Sequence, residues 1–204
     1  MSAAGSLATG LAVAKLLGLS RSRAVEVAHL AELYGGGGLG GVAAILGGGI
    51  EVRTSPGIPP WGTVVHHPSP GSVLVGVAGP PIPSPDILGS PRWLGKITEA
   101  ARGLDELGSR PGLSDLMETS GQFAAQVGLA SAPLRRVLRG LRAQGAQATQ
   151  AMFGNSFLAT FPEGQRRGRV VEWLEARGVA AVELGLDRRG ARLVPVRRAA
   201  GSPP

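Results

Sequence analysis

Between positions 34 and 49 the chain reads YGGGGLGGVAAILGGG. A stretch this rich in glycine is either a flexible linker or a loop whose backbone must come close to something else. The run is short for a linker and carries Leu39, Val42, Ile45 and Leu46. A glycine loop opening directly into a buried helix or strand therefore fits better. Any fold for this chain must place a bare backbone segment against a packed element.

The segments before the loop read as helices. Residues 2–17 are small or helix-forming, and Gly18 stands where a C-cap glycine belongs. The N-terminus of this helix is the turn Ser2-Ala3-Ala4-Gly5. Small side chains there let a ligand touch the backbone, while free N–H groups and the helix dipole attract anions. Small residues also begin many helices for packing reasons alone, so the turn by itself does not decide. Ser20 can cap a second helix from Arg21 to Tyr34, with Ala24, Val27, Ala28 and Ala31 as its apolar stripe. His29 and Glu32, three apart, are then neighbours on the other face, as a surface pair or as functional groups.

Downstream, GSVLVGVAGPPIP reads as a strand ended by prolines. Residues 91–107, 113–128 and 133–142 read as helices, with Pro91 and Pro133 in first turns and Ser114 as a cap. ATQAMFGNSFLATF reads as two short strands around the turn at Gly154 and Asn155. A helix over 162–177 and strands at GVAAVELGL and ARLVPV complete an α+β pattern.

Composition narrows the partners. Lys and Arg number 21 against 14 Asp and Glu, a net charge of +7, and only Lys15 and Lys96 are lysines. Such a balance suits a nucleotide, a small acid, nucleic acid or a membrane surface. Nucleic acid is disfavoured because aromatics are only 4% and the arginines are scattered without a recognised motif. Zero cysteines exclude disulfides, thiolate catalysis and Cys metal sites. No basic residue precedes Lys15, and Lys15 and Gly18 interrupt the first apolar stretch short of the roughly 20 residues a span needs. The reading is a protein without a membrane partner, cytoplasmic by default.

Several ordered motifs together resemble the archaeal pantoate kinases of the GHMP kinase superfamily. MSAAG resembles the end of that family's phosphate loop where it enters a helix. The family's AHxAE pattern is matched by Ala28-His29-Leu30-Ala31-Glu32, and its GGxxxRxxPG segment by residues 48–57 around Arg53. GPPIPSPDILGSP and TQAMFGNSFLA are also similar to family segments, so the likeness runs from residue 1 to about residue 195.

The resemblance implies an ATP-dependent kinase, a transferase that phosphorylates pantoate to 4-phosphopantoate for coenzyme A biosynthesis. Homoserine or a mevalonate-like acid is the alternative substrate, and a non-catalytic truncated remnant is the alternative outside catalysis. It implies a GHMP-kinase-like two-lobe α+β fold lacking most of its first lobe: 1–61 the remainder of that lobe, 62–197 the second lobe, 198–204 a disordered tail. An in-frame upstream start supplying the missing part is expected, and the 204 residues alone are expected to be poorly active. Ser2, Ala3, Ala4 and Gly5 would bind ATP phosphates, Ser2 and Glu32 would hold Mg²⁺, and Arg53 and Ser84 would bind pantoate. A homodimer is left open. One departure stands out: Gly41 occupies the position of the family aspartate, a presumed base. Restoring it as Gly41→Asp is expected to raise the rate, against the cost of a positive φ there.

Overall fold

A computed structural model describes residues 2–38, 40–108, 110–151, 153–162 and 167–194. The first two helices, α1 (Ser2–Leu16) and α2 (Arg21–Tyr34), pack against each other. Gly18 turns the chain between them at φ 68, and the Ser20 hydroxyl accepts from the Arg23 N–H as the N-cap. The pair sits close because a Cβ on Gly10 would come within 3.0 Å of the Ala24 carbonyl oxygen. The shared core holds Leu7, Leu11 and Ala14 of α1 with Ala24, Val25 and Ala28 of α2. The short helix α3 (Gly41–Leu46) adds Val42 and Ala43 to it. The glycine run thus opens into a buried helix, as its apolar residues require.

The buried face of α2 differs from the stripe that the sequence suggests. Val27 is half-exposed, whereas His29 and Glu32 are 6% and 7% exposed. The close Gly10–Ala24 approach rotates α2 so that Ala24, Val25, Ala28, His29 and Glu32 turn inward. The carboxylate and the imidazole are therefore buried groups, not a surface pair.

Strands β1 (Ile50–Arg53) and β2 (Val64–His67) form an antiparallel hairpin, with Arg53 opposite Val64. They pair across the connection that holds residue 61, where the sequence suggests a lobe boundary. A second sheet has the order β4-β5-β3-β6, built from β3 (Ser72–Val77), β4 (Gln147–Gln150), β5 (Ser156–Thr160) and β6 (Ala180–Gly185), all antiparallel. β4 and β5 are the strands expected around Gly154 and Asn155.

Helices α4 (Ser84–Leu88), α5 (Pro91–Ala101) and α6 (Leu113–Val127) connect β3 to α7 (Ala132–Ala143), and α8 (Arg167–Glu175) precedes β6. A 3₁₀ segment, Arg102–Leu107, continues α5 in place of the α-helix expected to residue 107. The cap of α6 is Gly112, not Ser114, because the Asp115 carboxylate accepts from the Gly112 N–H. Ser114 instead accepts from the Gln147 side chain. Leu134, Val137, Leu138 and Leu141 of α7 pack with Val170 and Leu174 of α8 on Leu74, Ala148, Phe157 and Ala159 of the sheet. Each such fully buried side chain is worth about 1.5–3 kcal/mol relative to exposure.

The strand expected over 191–196 is not formed by residues 191–194. After β6 the chain leaves the sheet, and its backbone finds partners at α3 and the turn after it. The Asp187 carbonyl accepts from the Gly49 N–H, and the Ala191 N–H donates to the Ile45 carbonyl. Arg21 donates to the carbonyls of both Leu46 and Ala191. Residues 187–192 thus strap onto α3 and the turn after it. The tail expected at 198–204 lies outside the described residues. Among the described residues no helix is long and apolar enough to cross a membrane.

Candidate functional site

Four glycines of the loop after α2, Gly36, Gly37, Gly40 and Gly41, locate the site, because each sits against a different neighbour. A Cβ on Gly37 would lie 3.0 Å from Glu32 Oε2, and one on Gly36, at φ 75, would lie 3.2 Å from Pro85. At Gly40 it would lie 3.3 Å from the Arg53 guanidinium, and at Gly41 only 2.7 Å from the Ala3 methyl. The bare backbone therefore threads between the start of α1, Glu32, the end of β1 and the first turn of α4. Side chains in this loop would fill the space the surrounding groups share.

On the α1 side, Ala3, Ala4 and Gly5 form the first turn. Their N–H groups have no intrahelical carbonyl to pair with, and the macrodipole makes this end attractive to anions. Ser2 opens the helix, but its side chain, and with it the role expected of its hydroxyl, lies outside the described residues. Ser6, which the sequence reading did not single out, donates its hydroxyl to Glu32 Oε1 at 2.8 Å. The signal for Ser6 was its position one turn after Ser2 on the same helix face.

Beside Glu32, one turn earlier on α2, stands His29. Its Nδ1 is buried without a hydrogen-bond partner. Burial first, and then the positive charge of Arg53, hold its pKa below the ordinary histidine value. The imidazole is thus kept neutral, able to donate at one nitrogen and accept at the other. Arg53 itself is exposed, and its side chain makes no hydrogen bond or ion pair among the described residues. Glu51, two residues before it on the same face of β1 and opposite His66, has its pKa raised, chiefly by burial.

Ser84 begins α4 and immediately precedes Pro85, the neighbour of Gly36. Ala3, Glu32, Arg53 and the Ser84 turn are accordingly gathered around one loop, although they are dispersed over 82 positions of sequence (3 to 84). Asn155 has a different place. Its Nδ2 donates to the Pro80 carbonyl and its backbone carbonyl accepts from the Ala78 N–H. It braces the segment that leads to Ser84.

Gly41 is the first residue of α3 and is not among the positive-φ glycines. The obstacle to a side chain there is the Ala3 methyl, not backbone strain. Among the described residues no group of three or more His, Asp or Glu could hold a metal by itself. Glu32 still offers carboxylate oxygen beside an anion-attracting helix end. That is the donor chemistry of Mg²⁺ shared between one or two carboxylates and substrate phosphates.

No protein-family model matches the chain. It is 32% identical over 140 residues to a pantoate kinase of Thermococcus kodakarensis, covering 69% of the chain and 47% of that protein. It is 30% identical over 176 residues to a pantoate kinase of Methanospirillum hungatei, covering 84% and 57%. The chain therefore spans about half the length of the curated relatives it matches. Among solved structures, a phosphotransferase related to the CoA biosynthesis pathway superposes with a TM-score of 0.70 at 25% identity, over 94% of this chain and 62% of that one. Mevalonate kinase of L. major superposes at 0.60 and 15% identity, over 93% and 66%, a likeness of fold.

Proposed function

We propose that this chain, which belongs with the archaeal pantoate kinases of the GHMP kinase superfamily, serves ATP-dependent phosphorylation of pantoate to 4-phosphopantoate. The observation that carries the reading is the convergence of a buried carboxylate, an unpaired guanidinium and a helix N-terminus on one glycine loop. Phosphoryl transfer asks for that combination: phosphates held, charge neutralised and an acceptor hydroxyl aligned, with little covalent help.

In this proposal the N–H groups of Ala3, Ala4 and Gly5 cradle the nucleotide phosphates. Glu32, fixed by the Ser6 hydroxyl, and Ser2 hold Mg²⁺, which when bound neutralises charge on the phosphates. The guanidinium of Arg53 presents two parallel donors to the pantoate carboxylate. Ser84 adds a hydroxyl to the same acid. With Gly41 in place of a carboxylate, the transfer relies on positioning and electrostatics rather than on a base at that point.

The test is a coupled ATP assay of the full-length gene product on a panel of pantoate, homoserine and mevalonate. Pantoate should be the preferred acceptor. Arg53→Ala should raise the pantoate KM about ten- to a hundredfold, the loss of a charge-assisted hydrogen bond worth roughly 1.5–3 kcal/mol, with the ATP KM little changed. Preference for another acid would reassign the substrate, and an unchanged pantoate KM would return Arg53 to the surface.

A further inference from the structure

The cavity between the end of β3, the first turns of α7 and the end of α8 has a volume of about 540 Å³ and shares no lining residue with the glycine-loop site. We propose that it binds a phosphorylated organic ligand, gripped by Arg136 and Arg177. Val137 and Val179, both buried, form an apolar floor, and among the described residues no acidic one lines the cavity.

The two arginines differ in how they are held. Arg177 donates to the Trp173 carbonyl at 3.0 Å, and its guanidinium stacks 4.3 Å from the centre of the Trp173 ring. The ring is itself fixed, since its edge fills a notch in α7: a Cβ on Gly140 would lie 2.3 Å from it. A stacked guanidinium on an immobile indole loses little freedom when it grips an anion, while the nitrogens not spent on Trp173 keep their donors. Arg136 makes no hydrogen bond or ion pair among the described residues, so its whole fork is available.

Two guanidinium groups at the mouth suit phosphate oxygens, which accept them in pairs. The apolar floor calls for an organic body behind the phosphate, and the volume falls within the range of small-molecule sites, about 300–1,000 Å³. Surface arginines serving only solubility would need neither the indole notch nor the hollow between them.

The experiment is calorimetric titration of the 204-residue chain with phenyl phosphate and, separately, inorganic phosphate at moderate salt. Phenyl phosphate should bind more tightly than inorganic phosphate. Arg136→Gln and Arg177→Gln should each weaken it about tenfold or more, and Arg136→Lys should recover part of the loss. Arg102→Gln, on the 3₁₀ segment away from the cavity, should leave the affinity unchanged. Circular dichroism checks that the variants keep their fold, which exposed positions favour. No measurable binding, equal affinity for both probes, indifference to both cavity substitutions, or an equal loss on Arg102→Gln would each overturn the proposal. Because the readout is binding at a place apart from the glycine loop, its failure leaves the kinase reading standing, and the reverse also holds.

Discussion

At position 41 a single missing side chain decides how the loop meets α1. The resemblance argues for restoring an aspartate there, but the structure places the Ala3 methyl 2.7 Å from where a Cβ would sit. Gly41→Asp should therefore overpack the start of α1 at a cost of roughly 1–3 kcal/mol, and depress rather than raise activity. Thermal denaturation should register a loss of about 2–4 °C per kcal/mol for a chain this size. The double variant Ala3→Gly, Gly41→Asp should recover much of it; equal melting of the single variant and the parent would show that the two helices separate freely. His29 makes a second prediction at this scale. Its folded pKa lies below the ordinary value, so between the two values the unfolded chain binds more protons. Its contribution to stability is present above the unfolded pKa, about 6.5, and is lost as pH falls through the folded one. His29→Gln should flatten that part of the acid limb in urea unfolding followed from pH 7.5 to 5. An unaltered slope would mean that the imidazole titrates as if in water.

At the scale of elements, much of the order was legible and the facing was not. The limits of α2, its Ser20 cap and the hairpin around Gly154 and Asn155 follow from local rules, because caps and turns are set by a few adjacent residues. The buried face of α2 was not, because apolar residues lie all round it. Val27, Leu30 and Leu33 remain exposed while His29 and Glu32 are buried. What selects the face is the Gly10–Ala24 approach, a contact between two helices that no single-helix periodicity contains. The same limit applies to the site: Glu32, Arg53 and Ser84 were named from motifs, whereas Ser6 depends on a partner 26 residues away. Residues 191–194 read as a strand because alternating apolar residues do not reveal that their backbone is claimed by Ile45 and Arg21, far away in sequence. Between α7 and α8 the packing is tight enough to predict. Gly140→Ala would drive a methyl into the Trp173 ring, costing about 1–3 kcal/mol, while an undiminished melting temperature would mean that the indole swings aside.

At the scale of the molecule, the described residues form two packed regions, one around α1, α2 and α3 and one between the four-stranded sheet and α7 with α8. The first takes Ala191 into its packing, so the chain must return to its beginning to complete it. The strap carries an implication in time as well as in space. Arg21 is separated from its acceptor at Ala191 by 170 residues. At a synthesis rate of roughly 5–20 residues per second the strap follows Arg21 out by about 10–30 seconds. During that interval α1, α2 and α3 must wait with one side of their packing open. Nascent chains arrested so that residue 186 is the last to emerge should be cut by protease around residues 41–49, and chains that expose residue 194 should resist. Equal resistance in both would mean that α1, α2 and α3 close without help from the strap.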